Sequence, residues 1–283
     1  MLKVGIVGHS AALLSRIQQW EMVGCVQVSG FFSTDQIHHD QLGKTGITGY
    51  SAFSALVQSV DIIDVVSSDL EQVDYIYEAI HFQKHLFLHN PFVLDVQSLK
   101  HISKLVQEAK IKCQVGLYLR FIQELQQDAL PFSALKFIVI QCAYQANDLT
   151  QEWLEAVNNH TDIVLKLLRS QVRKVYANSV AIEDNPRDLV NIRMQFDNGA
   201  IGDILLNSSA IRSKHNLSLY GIGYITEVAV AQDKNGFIPE AAINAALTSF
   251  ISDIQQDNVV KVTIFDAINS VELTSEIVKQ IES

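Results

Sequence analysis

The sequence is poor in cysteine, proline and charge. Its three cysteines, Cys25, Cys113 and Cys142, stand far apart in 283 residues. An odd, scattered set excludes a disulfide framework and lacks the spacing of a metal cluster, so these read as buried reduced thiols. Four prolines and thirteen glycines leave no Pro/Gly-rich linker or low-complexity tract. Charged residues are 18% against 48% hydrophobic, below the usual ~25% charged, which argues against disorder and for a large core. The net charge of −10 carries no Lys/Arg cluster, which excludes nucleic acid and anionic membrane surfaces as expected partners. No apolar run reaches the ~18 residues of a membrane span. Glycine and histidine interrupt the opening "MLKVGIVGHSAALL", and no small-residue cleavage site stands out, so a cytoplasmic location is expected.

What is present is an alternation. "KVGIVG" (3–8), "CVQVSGFF" (25–32), "DIIDVVSS" (61–68), "HLFLHNP" (85–91) and "CQVGLYL" (113–119) are short β-rich runs. Between them lie helical patterns at 11–21, 51–59, 71–84 and 96–110. Strands separated by helices at these lengths predict a parallel, doubly wound sheet. After Arg120 the order changes to a long strand (134–144), a helix (151–168) and four strand-like runs, with "FDNGA" (196–200) a tight-turn signal between two of them. Two amphipathic helices near 241–255 and 264–281 end the chain. The expected fold is α/β: a doubly wound domain over 1–117, then an α/β domain over 118–283 with an open, mainly antiparallel sheet. Strands there have apolar residues for both faces, so a homo-oligomer through that sheet is expected.

Six stretches, in order, resemble the Gfo/Idh/MocA family of NAD(P)-dependent oxidoreductases: "KVGIVG", "VVSSDLEQ", "KHLFLHNP", "VGLYLRF", "MQFDNGAIGDI" and "LSLYGIGYITEV". The resemblance spans nearly the whole chain. It implies a Rossmann-type first domain, a NAD or NADP cofactor and a sugar or polyol-like substrate. The cofactor would lie beside Gly8, His9, Ser10, Ser33, Ser67 and Asn90.

The departures lie at the functional positions. A dinucleotide turn uses glycines for the tight turn, the approach of the pyrophosphate and helix packing. In "GHSAAL" (8–13) Gly8 keeps its place, while Ser10 and Leu13 occupy the second and third. The ribose-binding acid falls near Ser33 and Thr34, with Asp35 slightly late. The family's lysine, in Glu-Lys-Pro, becomes Asn90 in "HNP", and its helical Asp-x-x-x-His-x-x-Asp reads Glu155, Asn159, Asp162. Asparagine has no titratable proton at useful pH. Proton transfer would then fall to His89, His160 or Glu155, with Asn90 and Asn159 lining the site. Three plainer alternatives stay open: an ordinary strand-to-helix turn, a solvated helix face, and a degenerate ligand-binding or structural homo-oligomeric protein without turnover.

Overall fold

The computed structural model describes residues 1–33, 35, 46–67, 70–125, 135–146, 151–182, 187–230 and 237–282. The chain forms two compact units, Met1–Gly116 with Ile243–Ile268, and Leu117–Ala242 with Asn269–Ser283.

In the first unit, strands β1 (Leu2–Gly8), β2 (Val26–Ser33), β3 (Thr48–Gly49), β4 (Ile62–Val65), β5 (His85–Leu88) and β6 (Cys113–Val115) form a sheet in the order β3-β2-β1-β4-β5-β6. All its pairings are parallel. β4 and β5 are continuous apolar runs interrupted by one acid because both faces are covered. The connecting helices are α1 (Ser10–Val23), α2 (Phe53–Ser59), α3 (Gln72–His81) and α4 (Val96–Ala109). α4 is capped by Asp95, whose carboxylate accepts the Ser98 N–H at 2.8 Å, and it buries Leu99 and Ile102. α1 buries Leu13, Ile17 and Trp20, so the bulk of Leu13 is absorbed in the core.

α1 also buries a charge. Arg16 Nε donates to Asp64 Oδ2 of β4 at 2.5 Å, and Trp20 Nε1 donates to the same oxygen at 2.5 Å. Arg16 and Asp64 are 3% and 0% exposed, and the guanidinium lies over the Phe87 ring at 4.9 Å. With every strong acceptor on Asp64 engaged, this ion pair fixes α1 against β4.

In the second unit, β7 (Leu135–Gln145), β8 (Val172–Val180), β9 (Leu189–Phe196), β10 (Ile201–Asn207), β11 (Ser209–Gly221) and β12 (Tyr224–Ala229) form a mixed sheet, β12-β11-β7-β10-β9-β8. Its pairings are antiparallel except β7 with β10. The "DNG" turn holds, with Gly199 at φ 77° between β9 and β10. The run 216–230 is two strands, not one, because Gly223 (φ 80°) reverses the chain between β11 and β12. Helix α5 (Gln151–Leu168) packs on β7 and β10, while α6 (Glu240–Gln255) and α7 (Ile264–Ile281) close the chain. No helix among the described residues is long and apolar enough to cross a membrane.

Candidate functional site

The strand order of the first sheet reverses between β1 and β4. In open parallel sheets, ligands bind outside the carboxyl ends of the strands at such a point. Gly8 ends β1, His9 and Ser10 follow it, Ser33 ends β2, Ser67 follows β4 and Asn90 follows β5. Thus all six expected cofactor contacts sit at carboxyl ends of this sheet. Thr34 lies outside the described residues. A Cβ on Gly8 would stand 2.6 Å from Val66 Cγ2 and 3.0 Å from the Ser67 amide nitrogen. Glycine is therefore required for the ends of β1 and β4 to approach each other, whatever binds above them.

Asp35 organises this rim. Its carboxylate accepts the Ser10 N–H at 2.9 Å, the Ser10 hydroxyl at 3.1 Å and the Ser33 hydroxyl at 2.7 Å. Burial opposes its ionisation, but those hydrogen bonds and nearby His9 hold its pKa down to about 2. A fixed, ionised acid beyond β2 fits the ribose hydroxyls of an adenosine moiety. Ser67 adds a hydroxyl that is fully buried and has no hydrogen-bond partner among the described residues. One feature fits less directly: the Ser10 amide at the helix N-terminus, a natural phosphate donor, is already bonded to Asp35.

Asn90 is a cap. It is 3% exposed, and its side-chain oxygen accepts the Phe92 N–H at 3.4 Å above the 3₁₀ turn Pro91–Val93. Its backbone carbonyl accepts from Gln72 Nε2 at 3.3 Å. His89 is half-buried beside it, and burial, with the Arg16 guanidinium second, lowers its pKa so that the ring is neutral at pH 7.

The α5 face is not solvated. Asn159 and Asp162 are 1% exposed, and both hold the segment Tyr118–Phe121. Asn159 Oδ1 accepts the Tyr118 N–H at 2.8 Å, and its amide donates to the Glu155 carbonyl at 3.1 Å. Asp162 takes Arg120 in a two-pronged pair at 2.7 and 2.6 Å. Glu155 is half-buried one turn before Asn159. His160, rotated ~100° from Asn159 around the helix, points elsewhere. It is fully buried, with Nδ1 2.6 Å from the Ala156 carbonyl and Nε2 3.1 Å from His215 Nε2. So the structure joins Glu155 and Asn159 on one face and separates His160 from them.

Residues 2–117 match the model of the Gfo/Idh/MocA family, an oxidoreductase family with an NAD-binding Rossmann fold. The first unit's sheet lies within the matched residues. No curated protein sequence matches the chain. Among solved structures, it resembles a probable dehydrogenase from Thermotoga maritima at 15% identity, covering 99% of this chain and 97% of that one, with TM-score 0.88. A UDP-N-acetylglucosamine 3-dehydrogenase from Acidithiobacillus ferrooxidans shares 16% identity over 99% and 98%, TM-score 0.83. A scyllo-inositol dehydrogenase from Lactobacillus casei, with NAD(H) and scyllo-inositol bound, shares 17% identity over 100% and 97%, TM-score 0.84. At these identities the likeness establishes the fold alone, and it extends through the second unit.

Against the Gfo/Idh/MocA pattern, two contributors carry more structure than the sequence suggested. Asp35 emerges as the acid of the β2 end, two residues past the strand. Arg120 pairs with Asp162 from 42 positions away; Arg120 lies in "VGLYLRF" and Asp162 on the α5 face, and no local signal links them.

Proposed function

We propose that this chain is an NAD-linked oxidoreductase of the Gfo/Idh/MocA type, acting slowly on a sugar or polyol-like substrate. The observation that carries the cofactor assignment is Asp35, ionised and aimed by Ser10 and Ser33 at the β2 end. A carboxylate there accepts from the ribose hydroxyls of NAD and repels the 2′-phosphate of NADP. Gly8, His9, Ser10, Ser33, Ser67 and Asn90 would hold the dinucleotide, which supplies hydride transfer when bound. The substrate class rests on the inositol and nucleotide-sugar dehydrogenases of the same fold.

The slow rate follows from proton chemistry. Neither Asn90 nor Asn159 titrates, and a missing positioned acid/base typically costs ~10²–10⁴ in rate. His89, neutral at pH 7, and Glu155 are the remaining groups that can take a proton; His160 is turned into the core. A second reading, ligand binding without turnover, is supported by the use of both asparagine amides in backbone hydrogen bonds. We place the protein in the cytoplasm as a homo-oligomer assembled on the open face of the second sheet.

Calorimetry with NAD(H) and NADP(H), paired with a dehydrogenase assay over a polyol and sugar panel, tests the assignment. NAD should bind at least ~10-fold tighter than NADP. Wild-type turnover should be near background, and the double variant Asn90→Lys/Asn159→His should exceed it. No dinucleotide binding at millimolar concentration removes the cofactor assignment; ordinary enzyme rates in the wild type remove the slow-turnover claim.

A further inference from the structure

We propose that Cys142, His160 and His215 form a metal site, suited to zinc, inside the second unit. The three come from three elements: Cys142 from β7, His215 from β11 and His160 from α5. His215 and Cys142 are direct cross-strand partners in the β7–β11 register, and His160 descends onto them from the helix. Their ligating atoms all lie within 4.8 Å of one another, and all three side chains are buried.

The protons decide what the cluster is for. His160 Nδ1 lies 2.6 Å from the Ala156 carbonyl, His215 Nδ1 lies 3.0 Å from the Phe237 carbonyl, and the two Nε2 atoms face each other at 3.1 Å. Carbonyl oxygens only accept, so each Nδ1 must carry the proton of its ring. That leaves two bare Nε2 lone pairs in contact and no hydrogen between them. Three close contacts require three protons, and two neutral imidazoles supply two. A third proton would make an imidazolium, and both rings are buried, His160 at 0% and His215 at 2% exposure, where an unpaired charge is costly. A cation at the Nε2 pair resolves the conflict without it.

The surroundings match such a site. An imidazole bound to metal through Nε2 usually donates its Nδ1–H to a backbone carbonyl or carboxylate, which fixes tautomer and ring orientation. Both histidines are already held in that way. Two nitrogens bound to zinc at ~2.0–2.1 Å in tetrahedral geometry stand roughly 3.3 Å apart, close to the separation observed. Cys142 supplies a buried, free thiol that a divalent ion would bind as the thiolate. One thiolate with two imidazoles suits zinc, and hard oxygen-seeking ions poorly. Tyr144 lies two positions on, facing the same side of β7, and its hydroxyl is buried with no hydrogen-bond partner among the described residues. Its ring is 5.2 Å from that of Phe237, whose carbonyl fixes His215. A fourth donor or a bound water therefore has a polar neighbour available.

The test uses the whole chain, stripped with chelator, then either titrated folded or refolded with one equivalent of Co²⁺ or Zn²⁺. One ion per chain is expected. Co²⁺ should give a thiolate-to-metal charge-transfer band that Cys142→Ser abolishes, and His215→Gln should weaken binding at least ~10-fold. Either variant can fail to fold, so zinc-edge X-ray absorption on the wild-type protein gives an independent result: one sulfur and two imidazole nitrogens are expected. No stoichiometric ion after refolding, a shell without sulfur, or undiminished binding by folded Cys142→Ser each overturns the site.

Discussion

Asp35 is the residue whose charge matters most at the rim of the first sheet. Its pKa is lowered from 3.8 to about 2 in the folded chain, so its contribution to stability is full above pH 4 and is lost as pH falls toward 2. Asp35→Asn should flatten that acid limb, as read by thermal melts across pH 2–5, and should weaken NAD binding while narrowing the preference over NADP. Unchanged affinity for both dinucleotides in the variant would count against the ribose assignment. Asn159 makes a different kind of contribution. Asn159→Ala leaves the buried Tyr118 N–H unpaired, which should cost about 1–3 kcal/mol by urea denaturation, whereas Asn159→Asp keeps the acceptor and should cost less. At this scale the sequence exposed residue types but not their partners. Asn90 and Asn159 stood out as missing acid/bases, yet their use as a turn cap and a backbone acceptor depends on where Phe92 and Tyr118 fall. His160 read as a candidate proton carrier one step off the polar face, and that step, ~100° of rotation, put it in the core against His215.

Elements were the most legible scale. Most helices and strands of the first unit follow from apolar periodicity, and "DNG" became the turn that its glycine requires, but the two-residue β3 leaves no such pattern and the run 113–119 stays a strand only to Val115. The split of 216–230 into β11 and β12 escaped because Ile222-Gly223 interrupts a run that is otherwise apolar and β-rich on both sides. How elements are locked together was not legible. The Arg16–Asp64 pair joins positions 48 apart, and nothing local in either segment announces it. Asp64→Asn should destabilise the chain by about 3–5 kcal/mol, because it strands a buried guanidinium. The double variant Arg16→Met/Asp64→Leu should cost less than the single one, although Trp20 Nε1 would still lose its acceptor. Losses that simply add across Arg16→Met, Asp64→Leu and the double variant would show that the pair does not act as a unit.

At the scale of the molecule, the second sheet has one covered face and one open. Ile138, Ile140, Ile204, Leu206 and Leu219 are buried on the first. Phe137, Val139, Leu205 and Tyr220 lie on the other and are half-buried, with Phe137 and Tyr220 rings 5.8 Å apart. Such a face is expected to pair with a second copy. Light scattering should give a multiple of the 31.6 kDa chain mass, and Leu205→Lys should shift it toward the monomer. A monomer mass for the wild type across dilution would remove the claim.

The sequence alone determined the class of each sheet, most of its elements and a family resemblance, because helix and strand periods are local and the six motifs lie in order along the chain. Tertiary structure decided what the polar residues are for. Burial, ion pairing and lone-pair conflict arise only when distant segments meet, as Ser10 and Ser33 do at Asp35, Arg120 at Asp162, and His160, His215 and Cys142 inside the second unit. Such meetings depend on through-space distance, which a one-dimensional pattern does not encode.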